Sequence, residues 1–430
     1  MSLVFKSITL ESILDPANMM LALKRVESNH GAPGVDGMRT DELRAYIFGH
    51  PGELSKAIKD GTYRPSPVKR VTIPKPEKGK YRELGIPTVT DRLVQQAVAQ
   101  VLSLHFETIF SFYSCGFRER KGAHDAILTT ISHTDAGCRW AVDLDLEKFF
   151  DTVDHSRLIR KLSRYIEDSR VISLIHRMLK SGISTQNGIT PSTVGLMQGG
   201  PLSPLLANVY LDELDKELER RGHRFVRYAD DIIVLVKSRR AAERTLQNLT
   251  KIIEGRMRLK VNRDKSTVAH ITCGVKFLGH GFNFQKGGRI VPTIHAKSKR
   301  RLMDSVRKIL RRNTGRAIGI VKRELREKLR GWTGYFKLAA GRSWVHETDM
   351  WIRRRIRQLI WKLWKKIGMR RKGLMALGCS REQAYMWACT RKSYWHTANS
   401  PIQEITMTNE VLRRHGWSWM AMFYKPLEWK

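Results

Sequence analysis

Arg224-Phe-Val-Arg-Tyr228-Ala-Asp230-Asp231-Ile-Ile-Val-Leu-Val236 is the stretch on which the reading of the fold turns. Phe225-Val226 and Ile232 to Val236 are apolar and rich in β-branched residues, the composition of strands. Between them stand two carboxylates, and burying charge in so apolar a hairpin is costly unless something compensates. A second stretch answers the first. Trp140-Ala-Val-Asp143-Leu-Asp145-Leu146 alternates apolar and acidic residues with a period of two, as a half-buried strand does. If the two strands are neighbours in one sheet, Asp145, Asp230 and Asp231 converge at one edge.

Three carboxylates at one edge repel one another, and protons or divalent cations relieve the repulsion. Mg²⁺ suits them. It is hard, prefers anionic oxygen, keeps several waters and completes its shell with phosphate oxygens. Two such ions can activate an attacking hydroxyl and stabilise a leaving pyrophosphate. An Asp-Asp pair alone is ordinary in turns and helix caps. Preceded by Tyr228, flanked by β-branched runs and preceded in the chain by a matching acidic strand, it is much rarer. Asp143 shares the strand face of Asp145 and reads as its neighbour or as a salt-bridge partner. Asp151 and Asp154 read as caps of the following helix.

Working outward, residues 11–30 and 40–60 read as helices separated by Gly31-Ala-Pro-Gly-Val-Asp-Gly37. Lys69–Pro74 and Tyr81–Pro87 read as a basic hairpin around Pro76-Glu-Lys-Gly79. Asp91 is expected to cap a helix through Val94, Val98 and Leu102. Helical segments are expected at about 155–180. Met197-Gln-Gly-Gly-Pro-Leu-Ser-Pro204 reads as a turn, with Ser203 as a cap and Pro204 in the first turn of the next helix. A helix over 240–256, a short strand at Leu259–Val261 and a hairpin over Val275–Phe284 follow. Beyond Pro292 the pattern changes to basic helices, marked by Leu325, Leu329, Trp332 and Phe336, then by Ile352, Ile356, Ile360 and Leu363. A domain boundary is expected near 288–296. Strands mixed with helices before it, and helices after it, indicate an α+β catalytic unit with a helical appendage.

The charge narrows the class of partner. The chain of 430 residues carries 78 Lys or Arg against 41 Asp or Glu, a formal net charge of +37. Such self-repulsion suits a long polyanion, held through phosphate contacts and counterion release. Between Val291 and Arg370 there are 24 Lys or Arg and five Asp or Glu, with Lys299-Arg300-Arg301 among the basic runs. There Trp361 and Trp364 have the spacing of core residues. Arg353 and Arg354, on the opposite face, are the nucleic-acid candidates, although arginine stems also cover apolar stripes. The five cysteines include no Cys-x-x-Cys pair, which argues against a zinc module and a disulfide scaffold. No stretch reads as a secretory signal or membrane span, so a cytoplasmic protein with no membrane partner is expected.

These motifs resemble those of reverse transcriptases encoded by bacterial group II introns. Tyr228-Ala-Asp-Asp231 resembles the family's Tyr-Ala-Asp-Asp box, and Ala141 to Val153 the strand bearing its first metal-binding aspartate. Gln198-Gly-Gly-Pro-Leu-Ser-Pro-Leu-Leu-Ala-Asn208 is similar to its nucleotide-pocket motif. Ile73-Pro-Lys-Pro76 and Arg82 to Arg92 are similar to its fingers. Ser114-Cys-Gly-Phe-Arg118, Phe277-Leu-Gly279, Gly31 to Gly37 and Gly331-Trp-Thr-Gly-Tyr-Phe336 match further segments, in the family's order, from about residue 20 to beyond 340.

The resemblance implies a right-hand polymerase: an amino-terminal extension over 1–60, fingers over 61–135 with a further contribution at about 155–195, a palm mainly over 136–290, and a helical thumb and maturase domain over 291–430. It implies that Asp145 and Asp230 ligate two Mg²⁺ ions (or Mn²⁺), with Asp231 supporting and the main-chain carbonyl of Leu146 as a further ligand. Phe150 becomes the steric gate against a ribose 2′ hydroxyl. Lys75 and Arg82 hold the incoming triphosphate, Gln198 packs on the nucleotide, and Lys265 assists phosphate chemistry. For the three cations a plain surface or backbone-phosphate role is the alternative. The implied partners are an RNA template, a DNA primer, dNTPs and intron RNA; oligomeric state is not legible. One departure is visible: where the family commonly has Thr-Pro before the glutamine, this chain has Leu196-Met197, which points to a retuned pocket. The family's zinc-bearing nuclease signature is not seen, so no second-strand cutting is expected and a nick, fork or partner is expected to supply the primer. Two other readings stay open: an RNA-splicing chaperone with a vestigial polymerase site, and a domesticated enzyme of DNA repair or host defence.

Overall fold

The alternation of Trp140–Leu144 is realised as an inner strand, with Ala141, Val142 and Leu144 buried and Asp143 half-buried. The computed structural model describes residues 8–74, 79, 81–185, 188–312 and 315–429. Its strands, in chain order, are β1 (Val68–Pro74), β2 (Tyr81–Ile86), β3 (Trp140–Leu144), β4 (Ile183–Thr185), β5 (Gly188–Thr190), β6 (Arg224–Tyr228), β7 (Asp231–Val236), β8 (Thr267–His270), β9 (His280–Phe284) and β10 (Ile290–Ile294). The chain divides into two compact units, the first ending at His270 and the second beginning at Ile271.

In the first unit, β6-β7-β3-β8 form an antiparallel sheet, with Trp140 opposite Val236 and Leu144 opposite Ile232. Ile232 to Leu235 are all buried because the helix Ala123–Asp135 packs on β6 and β7 while the helix Arg239–Lys251 packs on β3 and β7. A strand covered on both faces loses polar alternation and reads as a continuous apolar run. The second sheet has the order β2-β1-β4-β5. The expected basic hairpin is there, from Lys69 opposite Ile86 to Pro74 opposite Tyr81. It gains β4 as a parallel neighbour through Val68 and Ile183, so residues far along the chain extend it.

The helices Val89–Phe106 and Ser203–Arg220 carry the core between these sheets, with Val94, Val98, Leu102, Leu206, Tyr210 and Leu214 buried. The amino-terminal helix Pro16–Ser28 is bolted on by the buried Asn18, whose amide donates to the carbonyls of Ile13 and Ala97 while Gln100 donates to its side-chain oxygen.

Several local expectations change. Residues 40–60 are two short helices, Leu43–Gly49 and Glu53–Lys59, because Pro51-Gly52 interrupts them with Gly52 at φ +77°. Thr88, not Asp91, caps the helix Val89–Phe106. Asp91 lies in its first turn and accepts from Ser66 N–H, Thr88 and Tyr63 instead. Ser203 is the first helical residue, and its hydroxyl donates to the Met197 carbonyl at 2.7 Å. Asp154 does cap the helix His155–Leu162, whereas Asp151 lies inside the short helix Phe149–Thr152. Leu259–Val261 contributes only a single bridge, Val261 to Leu146, and the strand completing the sheet is Thr267–His270.

The second unit begins earlier than expected. Its longer hairpin is β9–β10, with Ile290 opposite Phe284, and the turn expected within Val275–Phe284 is there too, Phe277 and His280 exchanging main-chain hydrogen bonds of 3.0 and 2.9 Å across Leu278-Gly279. Ile294 packs with Phe336 and Ala339, so the hairpin belongs with the helices. The helices Ala296–Ile309, Ile318–Tyr335 and Arg342–Leu363 bury Leu302, Val306, Leu325, Leu329, Ile352 and Ile356. The carboxyl-terminal residues complete this core with Met407, Leu412, Trp417 and Met420. The buried Asp349 carboxylate fixes them by accepting the Met420 and Ala421 N–H groups at 2.7 and 2.8 Å.

Candidate active site

The register of β3 and β7 puts the two acidic stretches side by side. Asp145 follows β3 directly, and Asp230 lies in the two-residue turn between Tyr228 and Asp231 that closes β6 onto β7. The Asp145 charge acts on Asp230. Burial raises the Asp230 carboxyl above the ordinary aspartate range and the Asp145 charge adds to this, while a backbone hydrogen bond, Arg82 and Lys265 oppose it. Lys265 Nζ lies 3.2 Å from Asp145 Oδ2. Asp231 is exposed at the start of β7. Asp143 sits within β3, opposite Ile233 and Thr267.

The main chain on either side of Leu146 is tied to the β8 side. Asp145 turns its peptide groups toward the β8 side: its N–H donates to Ser266 Oγ at 3.1 Å and its carbonyl accepts from Asn262 N–H at 2.9 Å. Glu147 N–H donates to Lys260 carbonyl on that same side, at 2.8 Å. Alternation along the strand directs the Leu146 carbonyl to the other side, toward β7.

The turn is held under tension. Ala229 has φ +58°, a conformation that costs a residue bearing a Cβ about 1 kcal/mol or more. Ser114-Cys115-Gly116 lies along β6: Cys115 N–H donates to the Arg227 carbonyl and Arg227 N–H to the Tyr113 carbonyl. A Cβ on Gly116 would stand 2.3 Å from Ala229 N, so only glycine lets this segment back the turn.

The glycine-rich motif joins the two sheets. Gln198 is half-buried, and its carbonyl accepts from Gly85 N–H of β2 at 2.8 Å. A Cβ on Gly85 would meet Met197 Cε at 2.2 Å, so the residue replacing the family's proline packs flat on β2. Leu196 N–H donates to the Phe150 carbonyl at 2.6 Å. The half-buried Phe150 is therefore tied to the same motif, its ring against Phe149 at 5.3 Å. Arg82 is exposed on β2. Lys75 lies outside the described residues.

The donor set suits a hard cation that shares its shell with substrate. Among the described residues no three His, Cys, Asp or Glu side chains form a ready-made metal cage. Asp145, Asp230 and the Leu146 carbonyl would leave most positions to water and phosphate, which is the coordination habit of Mg²⁺.

Sequence comparison converges on the same reading. A model described as reverse transcriptase (RNA-dependent DNA polymerase) matches residues 73–282, and one described as group II intron, maturase-specific domain matches residues 299–378. The chain is 31% identical to Protein YkfC of Escherichia coli over 70% of its own length and 90% of that protein.

The chain belongs to the group II intron reverse transcriptases.

It is an RNA-directed DNA polymerase followed by a maturase-specific domain, a mixed α/β fold with an antiparallel palm sheet and a helical carboxyl-terminal region. Enzymes of this family use divalent metal ions, and the two domains imply binding of nucleic acid, intron RNA included. Identity to the group II intron-encoded protein LtrA of Lactococcus lactis is 30%, over 68% of this chain. It is 27% to the putative COX1/OXI3 intron 2 protein of Saccharomyces cerevisiae, over 63% of this chain. The matched region spans 59% of LtrA and 38% of the yeast protein. No described helix is long and apolar enough to cross a membrane.

The maturase-specific domain of this reverse transcriptase redirects attention from two expected residues. Arg353 and Arg354 are half-buried. Arg354 stacks 3.8 Å above the Trp395 ring and donates to the Trp395 carbonyl, and Arg353 lies over Trp419. They cover apolar surface, as arginine stems do. Trp361 is core, as its spacing indicates. Exposed cations of this region include Arg300, Arg301, Arg326, Lys328 and Arg330. Of these, Arg300 and Arg301 belong to a basic run that the sequence shows as charge alone.

Proposed function

We propose that the chain copies RNA into DNA with Asp145 and Asp230 as the principal ligands of two Mg²⁺ ions, Asp231 in support and the Leu146 carbonyl as a further ligand. The observation that carries this is the register of β3 on β7, which sets Asp145, just past Leu144, at the end of the sheet where the β6–β7 turn carries Asp230. Bound Mg²⁺ would supply an activated primer hydroxyl and a neutralised pyrophosphate. The chain's own groups do the rest. Arg82, with Lys75, draws in the triphosphate. Phe150, fixed through Leu196, fills the space a ribose 2′ hydroxyl would need. Gln198 lies against the nucleotide. Lys265, already paired with Asp145, is placed to move onto phosphate oxygen as substrate enters.

In this reading residues 61–135 and about 155–195 are fingers, the remainder of 136–270 is palm, and the helices after Ile271 are thumb and maturase domain that hold template and intron RNA for splicing and retrohoming. The amino-terminal 60 residues are the extension. The test supplies an RNA template, an annealed DNA primer and dNTPs. Extension that requires Mg²⁺ or Mn²⁺ and stops with chelator is expected. Tight binding of intron RNA with no extension on any template would instead favour a splicing factor with a vestigial polymerase site.

A further inference from the structure

Arg227 has no part in the scheme above, yet it is among the largest fully buried side chains of the molecule. Its guanidinium carries five N–H groups, and the surroundings meet all of them. Nε donates to Asp215 Oδ1 at 2.8 Å, and Nη2 to Asp215 Oδ2 at 2.5 Å and Ser114 Oγ at 2.8 Å. Nη1 donates to Asn208 Oδ1 at 2.8 Å and to the Ala229 carbonyl at 3.1 Å. Both members of the Arg227–Asp215 pair have no exposed surface.

The acceptors define what the group does. Asp215 and Asn208 come from the helix Ser203–Arg220, Ser114 from the segment along β6, and Ala229 from the turn itself. Asn208 closes the ring by donating to the Gly116 carbonyl at 2.9 Å, and Gly116 is the glycine pressed against Ala229 N. The carbonyl held by Nη1 belongs to the peptide that also contains the Asp230 amide. Ala229, at its costly positive φ, is thus held on both sides, its carbonyl by Arg227 and its nitrogen against Gly116.

We propose that Arg227 is the positioning residue of the active site: it locks the Ala229–Asp230 peptide to the rigid helix Ser203–Arg220 and so sets where the Asp230 carboxylate stands relative to Asp145. Buried ion pairs can often be replaced by apolar residues without loss of stability, so fold stability alone does not account for this one. The fork geometry does, because a lysine with three donors cannot meet five acceptors on three segments. The inference rests on the reading of Asp230 as a metal ligand.

The test uses the full chain and two variants, Arg227→Lys and the double replacement Arg227→Met with Asp215→Leu, the second keeping the core filled should the first unfold. Mn²⁺ binding is followed by electron paramagnetic resonance with no turnover. Hydrogen exchange of residues 224–236 and the Mg²⁺ dependence of primer extension are measured beside it. Expected are faster exchange at the turn, about tenfold lower kcat, Mn²⁺ and Mg²⁺ midpoints raised about threefold or more, and template affinity within about twofold of the parent. A folded variant whose metal midpoints match the parent, whatever its amplitude, would overturn the proposal, since loss of active molecules scales the signal without moving a midpoint. Asp230→Ala separates the two claims. If it binds Mn²⁺ and extends primers as the parent does, the reading of Asp230 is wrong, and the claim for Arg227 falls for that reason.

Discussion

Lys265 Nζ stands 3.2 Å from Asp145 Oδ2, a cation held beside a residue assigned to cations. With side-chain exposures of 60% and 31%, the pair is open to water and screened. Its contribution to folding is therefore about 0–1 kcal/mol. Lys265→Ala is expected to melt within about 3 °C of the parent and to lower the extension rate by about tenfold or more. Thermal melts and single-nucleotide incorporation measure the two separately. A large loss of stability with unchanged rate would assign Lys265 to the fold.

Phe150 is anchored at its carbonyl by Leu196 N–H and at its ring by Phe149. Phe150→Ala opens space and removes the ring contact while leaving the main-chain tie to Leu196 intact. The ratio of ribonucleotide to deoxyribonucleotide incorporation is expected to rise about tenfold or more, in line with a few kcal/mol of lost steric discrimination. Matched kcat/KM values for dNTP and rNTP give the ratio. An unchanged ratio would move the gate elsewhere.

Asp212 offers a separate pH test. Burial and the nearby Asp215 charge push its carboxyl up to about 6, against Lys216, Arg227 and Lys161. Its Oδ1 is buried without a hydrogen-bond partner. The folded state therefore holds a proton that the unfolded state has already lost at pH 4 to 6. The benefit is complete below pH 4 and disappears as pH rises through 6, an effect on the order of 2–3 kcal/mol. Urea unfolding of the parent and of Asp212→Asn between pH 4 and 7 is expected to differ in slope, with the variant gaining stability relative to the parent as pH rises. Parallel curves would contradict the assignment.

How much of this was legible in the sequence follows from how local each signal is. Period-two alternation places β3, and the apolar run around Asp230-Asp231 places β6 and β7. Both patterns report burial within a few residues. Thr267–His270 escapes because a four-residue strand with polar ends resembles a loop. The turn expected within Val275–Phe284 forms at Leu278-Gly279, but the pattern does not announce that Phe284 pairs onward with Ile290 across a second turn with Gly287 and Gly288 at positive φ. Arg353 and Arg354 lie on the polar face of their helix, and that pattern cannot reveal that Trp395 and Trp419 return to cover it. Arg227 is invisible for the same reason: Ser114, Asn208 and Asp215 meet only in three dimensions.

That difference separates two kinds of arginine in the maturase-specific domain. Replacing the exposed Arg300 and Arg301 by Ala is expected to weaken RNA binding and flatten its salt dependence, by about 0.7–0.9 in slope for each phosphate no longer neutralised. Arg354→Ala is expected to lower the melting temperature through weaker stacking on Trp395, with the salt slope unchanged. RNA titrations at several salt concentrations distinguish them. Equal slopes for all variants would mean that none of these residues touches phosphate.

The most direct measurement compares Asp145→Asn and Asp230→Asn with the parent for Mg²⁺-dependent dNTP incorporation and for template–primer affinity in one series. Each amide is nearly isosteric but cannot serve as an anionic ligand. The expected result is a loss of incorporation of about a thousandfold or more in both, with template–primer affinity unchanged or tighter because negative charge beside a polyanion has been removed. Incorporation at the parental rate in either variant would contradict the central claim that these two carboxylates carry the chemistry.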